Sequence, residues 1–258
     1  MIPFLRFTRR RLQAAILILL IVSGEQSPAQ DWTTHCRQVI LVVTDNWASA
    51  RGTLHTFHHR NGSWKTEGRP TPVMVGRKGL GWGLGLHRER TGKPQKHEGD
   101  QRAPAGIFRL EFGFGAEPLP KGSFPYRQVF PRDRWVDDPA SSFYNQWVVA
   151  DDSRFPKDWT SAEKLKRSDG IYDHVIVVAH NRSQIRPGRG SAIFLHRWYG
   201  PGHPTIGCTA MGKNRMIGLL KWLNAEEYPI LIQIPAFELK TLEMPDPLRN
   251  QIEQNIRP

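Results

Sequence analysis

The sequence predicts a mainly β protein with a few helices. Short apolar runs rich in β-branched and aromatic residues, such as residues 39–44 and 228–234, are separated by turn formers. Asn61-Gly62 joins two such runs and is typical of a type I′ hairpin turn. Apolar residues occupy every second position from Phe108 to Phe114, which indicates a strand with one buried face. Only residues 212–225 show the three- and four-residue apolar spacing of an amphipathic helix.

The remaining apolar runs are expected to form the other strands. One of these is rich in glycine at positions 81, 83 and 85, so we expect it to bend or to lie close against a neighbour. The charged, proline-containing tail after residue 238 is expected to be loosely packed or disordered. We therefore divide the chain into residues 1–29, a main domain at 30–238 and a tail at 239–258. The further strands are predicted at 52–60, 63–66, 71–75, 80–87, 146–150, 173–179 and 192–195.

The N-terminal residues have the pattern of a secretory signal peptide. Four arginines between positions 6 and 11 precede an apolar run at 14–22, which is too short to span a bilayer comfortably. Cleavage after Ala29 or Gly24 fits the small residues there, and Thr8-Arg9-Arg10 hints at a twin-arginine route. A retained membrane anchor is the alternative. We expect a protein of the periplasm or cell envelope.

The chain is strongly basic. Loss of residues 1–29 leaves 229 residues, and removing their four Arg and one Glu lowers the net charge from +12 to +9. A basic surface suits an anionic cell-wall polymer or a membrane surface. Nucleic acid is excluded as the partner because the chain carries an export signal and has no basic helix or RNA-binding aromatic motif. A chain of this length can bury a core as one large domain or two small ones.

The stretch from Ser191 to Met211 is the most informative part of the sequence. An apolar strand delivers His196 at its end, and a loop rich in Gly and Pro then turns the chain back toward Cys208. A cysteine nucleophile needs a nearby imidazole or a helix N-terminus to hold it as a thiolate, and both are expected here. The alternative is that Cys208 is a small buried hydrophobe and His196 an ordinary strand-end residue.

Cysteine usage leaves one point open. After export the chain holds only Cys36 and Cys208, and an oxidising compartment favours pairing of two cysteines. A disulfide would consume the candidate nucleophile. Catalysis therefore requires that Cys208 be free or reversibly bonded.

The Cys208 segment resembles the active site of the L,D-transpeptidase catalytic domain, the YkuD-like family. His196 on a strand and Thr205-Ile206-Gly207-Cys208 match the family's His and Ser/Thr-x-Gly-Cys positions. Residues 98–108 resemble the Gly-Asp and Pro-x-Gly-x-Phe entry into a core strand, and residues 136–145 are similar to a stretch in one branch of the family. The resemblance covers about residues 39–234. Two departures are Ile206, where a second His is common, and Ala210, where an Arg is common.

The resemblance implies a β-sandwich or mixed-sheet catalytic domain that acts on peptidoglycan stem peptides. Cys208 would be the nucleophile, His196 the base, and backbone N–H groups around Gly207 the oxyanion donors. A backbone carbonyl near the histidine, such as that of Arg197, would orient the imidazole. We expect no cofactor, no metal and a monomeric enzyme.

Six further residues are candidates for substrate binding, each with a plainer structural interpretation. Polar groups at 137–145 suit a peptide's amine and amide groups, although Asp-Pro-Ala-Ser is also good turn chemistry. His180 ends a strand and could line the cleft or pack at its rim. Lys213 could steer substrate carboxylates or be merely solvated. The six are Thr205, Asp138, Tyr144, Asn145, His180 and Lys213.

Two other function classes remain open. A zinc-dependent cell-wall peptidase would use His180, His196, His203 and Cys208 as ligands. A non-catalytic peptidoglycan-binding module would bind without turnover. The histidines at 55, 58 and 59 point to both faces of a strand, so we expect an exposed hairpin there and not a metal site.

Overall fold

The computed structural model describes residues 32–92, 94–118 and 122–256. Within these ranges the chain forms fourteen strands, two α-helices and two short 3-10 helices at Ala225–Glu227 and Ala236–Thr241. The α-helices are α1 (Lys213–Trp222) and α2 (Asp246–Asn255). The strands are β1 (Gln38–Thr44), β2 (Arg51–Arg60), β3 (Ser63–Thr66), β4 (Thr71–Met74), β5 (Leu80–Trp82), β6 (Ala103–Gly115), β7 (Tyr126–Gln128), β8 (Asp133–Val136), β9 (Trp147–Val149), β10 (Ala162–Lys164), β11 (Val175–Val178), β12 (Phe194–Arg197), β13 (Thr209–Met211) and β14 (Ile230–Pro235).

Eleven of the strands in the described ranges form one mixed sheet. Its order is β1-β14-β6-β11-β12-β13-β4-β2-β3, with β5 and β7 paired to β6. Because β1 also pairs with β2, the sheet closes on itself. A second sheet of three antiparallel strands has the order β10-β8-β9. The mainly β, mixed-sheet fold that the sequence predicts is confirmed.

Two apolar clusters use opposite faces of β12, since neighbouring side chains on a strand point to opposite sides. Leu195 belongs to the larger cluster, which also holds the buried side of α1. Phe194 and Cys208 belong to the smaller cluster. The small sheet covers this second cluster, with the Trp135 ring 5.1 Å from that of Phe194. The candidate nucleophile thus lies between the two sheets.

Local sequence signals are confirmed at two turns. Asn61 and Gly62 both have positive φ, 50° and 75°, as a type I′ hairpin between β2 and β3 requires. The predicted strand at 80–87 ends early, at Trp82. The chain is held against β6 there, since a Cβ on Gly85 would lie 2.2 Å from the carbonyl oxygen of Ile107. The glycine is therefore required by close backbone contact.

The single buried face predicted for residues 108–114 is wrong. Phe108 and Leu110 pack in the larger cluster, whereas Phe114 packs in the smaller one. The register between β6 and β11 shifts between the pairs Ile176–Gly113 and Val178–Leu110. One extra residue in a strand reverses which side the following side chains face, so β6 contributes to both clusters.

The expectation of a loose C-terminal tail is also wrong. Residues 246–255 form α2, and its Leu248 and Ile252 are fully buried in the larger cluster. These two residues are four positions apart and so lie on one helix face. The tail contributes to the core because this short apolar stripe finds a partner surface on the sheet.

Other expectations have mixed outcomes. His55 and His58 are buried and not exposed, and His58 Nε2 lies 2.7 Å from the Glu227 carboxylate.

The predicted signal peptide lies outside the described residues. None of the helices in the described part of the chain is long and apolar enough to cross a membrane.

Candidate active site

Strand pairing brings His196 and Cys208 together. Strands β12 and β13 are parallel, and His196 pairs with Ala210. Paired residues project on the same face, and Cys208 lies two positions before Ala210, so His196 and Cys208 share that face. Both residues are buried, each with 7% of its surface exposed. The sequence expectation that the loop returns Cys208 to the histidine is confirmed.

The imidazole of His196 has a defined tautomer. Its Nδ1 lies 2.7 Å from the carbonyl oxygen of Arg197, which can only accept a hydrogen bond. Nδ1 therefore carries the proton, and Nε2 presents a lone pair. Burial lowers the pKa of His196 to about 4, so the ring is neutral near pH 7. The predicted orienting role of the Arg197 carbonyl agrees with this geometry.

The thiol of Cys208 is free and protonated at rest. Both Cys36 and Cys208 are unpaired, so the disulfide that the sequence left open is absent from the described structure. Sγ donates a hydrogen bond of 3.4 Å to the carbonyl oxygen of Ala192. Burial, followed by the negative charge of Glu163, raises the pKa of Cys208 to about 12. The resting pair is therefore thiol and imidazole, and the expected standing thiolate is wrong.

Helix α1 does not supply the expected help to the sulfur. It begins at Lys213, and β13 separates it from Cys208. The influence of a helix dipole falls off within about one turn of its end. The dipole of α1 therefore does not favour a thiolate at Cys208.

The turn before the nucleophile is held by Thr205. Its Oγ1 donates 2.6 Å to the carbonyl oxygen of Cys208 and accepts 3.2 Å from the N–H of Gly207. Thr205 also bridges to Gly76 in the backbone. These bonds make Thr205 a residue that shapes the turn carrying Cys208.

Three predicted substrate-binding residues, Asn145, Tyr144 and His180, instead stabilise the backbone next to Cys208. Asn145 does so through four hydrogen bonds. Asn145 accepts hydrogen bonds at Oδ1 from Trp135 Nε1 (2.9 Å) and Ala192 N (3.2 Å). Its Nδ2 donates to the carbonyl oxygens of His180 and Asn181. This leaves no amide group for a substrate. Ala192 has a φ of 52°, a strained value that these contacts maintain, and its carbonyl is the partner of the thiol.

Tyr144 and His180 are satisfied internally in the same way. The Tyr144 hydroxyl donates to the Glu98 carboxylate and accepts 3.1 Å from Gly190 N–H. His180 accepts at Nδ1 from Leu84 N–H (3.2 Å), and its Nε2 lies 2.8 Å from the Arg189 carbonyl oxygen. Both side chains are at most 2% exposed. They support the site from the interior and are closed off from solvent.

Asp138 and Lys213 follow their plainer interpretations. Asp138 Oδ1 accepts from Ala140 N–H, and Oδ2 accepts from the N–H and Oγ1 of Thr160. These bonds lower the pKa of the Asp138 carboxyl and make it a turn cap. Lys213 is exposed at the first position of α1, and its charge contributes to lowering the pKa of His174.

Sequence reasoning missed three residues of the site. The Tyr172 ring lies 5.6 Å from that of His196 and shares the cluster of Cys208. The Tyr172 hydroxyl donates 2.6 Å to Glu163 Oε2. Lys96 is a buried cation whose Nζ lies 2.6 Å from Asp100 Oδ1. A Cβ on Gly207 would lie 3.8 Å from the same Nζ. Of the three, only Lys96 could have been noticed in the sequence. It lies four residues before Asp100, which is part of the segment at 98–108 that resembles the family.

A model of the L,D-transpeptidase catalytic domain, the YkuD family, matches residues 58–232 of this chain. The match includes the strands that carry His196 and Cys208. This chain belongs to the YkuD family of L,D-transpeptidase catalytic domains. That membership links it to L,D-transpeptidase-type function on peptidoglycan.

A partial structural similarity exists to the helical cell shape determining protein Pgp2 from Campylobacter jejuni. The two chains are 11% identical with a TM-score of 0.38, over 77% of this chain and 48% of the Pgp2 chain. This YkuD chain therefore spans about half the length of that protein. Comparison with curated proteins finds no match.

The YkuD domain described here shows the two departures noted from sequence. Ile206 is 70% exposed, directly before Gly207. Ala210 is buried in β13 and occupies the position where an arginine is common in the family. Lys96 is the cation whose charge lowers the pKa of Cys208, although burial outweighs it.

The zinc alternative is not supported by this YkuD geometry. His180 is turned to Leu84 and Arg189, and His203 lies exposed on the loop after β12. Across residues 32–92, 94–118 and 122–256, no group of three His, Cys, Asp or Glu side chains is placed to hold a metal ion.

Proposed function

We propose that this protein is an exported cysteine acyltransferase that acts on peptidoglycan stem peptides, with Cys208 as nucleophile and His196 as base. The observation that carries the proposal is a free Cys208 thiol on the same face of two paired strands as an imidazole whose Nε2 lone pair is available. Basic charge favours an anionic wall polymer, and the N-terminal pattern favours the periplasm or cell envelope.

The first half-reaction forms a thioester. Cys208 Sγ attacks the carbonyl carbon of the bond before the terminal D-alanine, and His196 Nε2 accepts the thiol proton. The N–H of Gly207 is engaged with Thr205, so we assign the Cys208 N–H as the first oxyanion donor. The C–N bond then breaks, and His196 returns the proton to the departing D-alanine amine.

The second half-reaction resolves the thioester. The amine of a second stem peptide attacks the thioester carbon, His196 removes a proton from it, and Cys208 leaves and is reprotonated. Water in place of the amine gives L,D-carboxypeptidase activity as a side reaction. The enzyme is proposed to act as a monomer without a cofactor.

Mass spectrometry of muropeptides tests the proposal. Purified protein is incubated with disaccharide tetrapeptide, alongside Cys208→Ala and the control Cys36→Ala. We expect the wild type and Cys36→Ala to release D-alanine and to form a cross-linked or trimmed product, and Cys208→Ala to form none. A carbapenem should add covalently to Cys208 in the same two active proteins. Binding of muropeptides without turnover or adduct would instead identify a non-catalytic module.

A further inference from the structure

The small sheet places a carboxyl group beside the catalytic pair. Glu163 on β10 lies directly opposite Trp135 on β8, so both side chains project on the same face. Trp135 packs on Phe194 of β12, which shows that this face is turned toward the Cys208 cluster. Glu163 Oε2 accepts a 2.6 Å hydrogen bond from Tyr172, whose ring contacts that of His196. Glu163 is partly exposed as a residue, although its carboxyl group is desolvated.

A second carboxyl group joins it from the end of β8. Asp137 follows Val136, and Asp137 Oδ1 is buried without a hydrogen-bond partner among the described residues. Burial and the charge of Asp137 raise the pKa of Glu163, against the bond from Tyr172. The charge of Arg167 lowers the pKa of Glu163. However, Arg167 is itself paired with Asp169, with its Nε 3.1 Å from each carboxylate oxygen. Glu163 and Asp137 therefore have fewer hydrogen-bond donors around them than two carboxylates can accept.

This excess negative charge opposes the chemistry of the nucleophile alone. The charge of Glu163 raises the pKa of Cys208 and so disfavours the thiolate. Buried carboxylates without a cationic partner are also costly to the fold. A bound cation next to the thioester would relieve both effects. In acyl transfer to an amine, the incoming group is such a cation, since a primary amine is protonated at neutral pH.

We propose that Glu163 and Asp137 form the subsite for the ammonium group of the acyl acceptor, which favours aminolysis of the Cys208 thioester over hydrolysis. This inference rests on the proposed function. The Glu163 carboxylate accepts one proton from the ammonium group and later releases it to solvent, and the free amine attacks the thioester carbon. His196 Nε2 accepts the second proton as the C–N bond forms. The C–S bond then breaks, and His196 returns that proton to the sulfur.

The test separates acyl transfer from acylation. Wild type, Glu163→Gln and Asp137→Asn are loaded with tetrapeptide, and thioester decay is followed with and without glycinamide as the amine probe. Glutamine retains an acceptor for the Tyr172 hydroxyl, so the fold is kept. Glu89→Gln is the matched control, because Glu89 is exposed and pairs with Arg186.

We expect the ratio of amide product to hydrolysed product to fall at least about tenfold in Glu163→Gln, and to fall also in Asp137→Asn. Thioester formation should not become slower, because removing the charge of Glu163 favours the Cys208 thiolate. Alkylation of Cys208 should become faster in Glu163→Gln at a fixed pH, an electrostatic effect that a purely structural role would not produce.

An unchanged product ratio in both variants would overturn the subsite. So would an equal loss of thioester formation, which would place the two carboxyl groups on the donor peptide. If the wild type only hydrolyses the thioester, the amine subsite is ruled out but the acyl-enzyme mechanism stands. A wild type that forms no thioester would remove the proposed function itself.

Discussion

His196 Nδ1 lies 2.7 Å from the carbonyl oxygen of the next residue, Arg197. A backbone carbonyl here takes the orienting role that a side-chain acid has in other triads. Because the carbonyl is uncharged, it fixes the tautomer without stabilising the imidazolium strongly. This agrees with the lowered pKa of His196 and with a resting pair that is neutral on both sides.

Replacing His196 should slow acylation of Cys208. We expect His196→Gln to reduce the rate of carbapenem adduct formation by about 10²–10⁴-fold, the usual contribution of a general base. The adduct is measured by intact-protein mass spectrometry. His203→Gln is the control, since His203 is exposed on the loop after β12 and should react as the wild type does. Equal rates in both variants would argue against His196 as the base.

Removing the buried cation Lys96 should make the thiol harder to ionise. Its charge lowers the pKa of Cys208, so Lys96→Met should move the pH profile of iodoacetamide alkylation to higher pH. Cys36→Ala is used as the background so that only Cys208 reacts. Lys65→Met, at an exposed position on β3, should leave the profile in place. A profile that stays unchanged in Lys96→Met would contradict an electrostatic role.

Acid should destabilise the fold through three histidines whose pKa values are lowered in the folded state. Burial lowers the pKa of His87 to about 4, of His180 to about 3 and of His196 to about 4. The unfolded chain takes up these protons near pH 6.5, so the contribution is complete above that pH and is lost as pH falls toward 4. Each histidine adds at most about 1.4 kcal/mol per pH unit. Urea unfolding at pH 7, 5.5 and 4.5 measures the slope, and a flat stability over this range would contradict it.

The C-terminal helix should be part of the cooperative fold. Leu248 of α2 is fully buried, so Leu248→Ala should lower the free energy of unfolding by about 2–5 kcal/mol. Glu253→Ala, on the exposed side of the same helix, should change it by less than about 0.5 kcal/mol. Denaturant unfolding of the two variants checks this. Similar stabilities would mean that α2 is only loosely attached.

Much of the fold could be predicted because strand and turn signals are local. The β2–β3 hairpin follows from Asn61-Gly62, and the apolar spacing around Met216 and Leu219 identified α1. The shift in β6 could not be predicted, because an extra residue in a strand is decided by the partner β11. The role of Asn145 was equally hidden, since its four hydrogen bonds join residues far apart in the chain.

The sequence by itself determined the family and the residues on which the proposed chemistry depends: a strand-end His196 and a Gly207-Cys208 turn. Those are properties of short segments, which carry their own local preferences. Only the tertiary structure decided the charge of the site. Burial suppresses ionisation of both Cys208 and His196, and Glu163 reaches them from a second sheet. Desolvation and long-range electrostatics depend on what surrounds a group in space, and the linear order of residues does not contain that information.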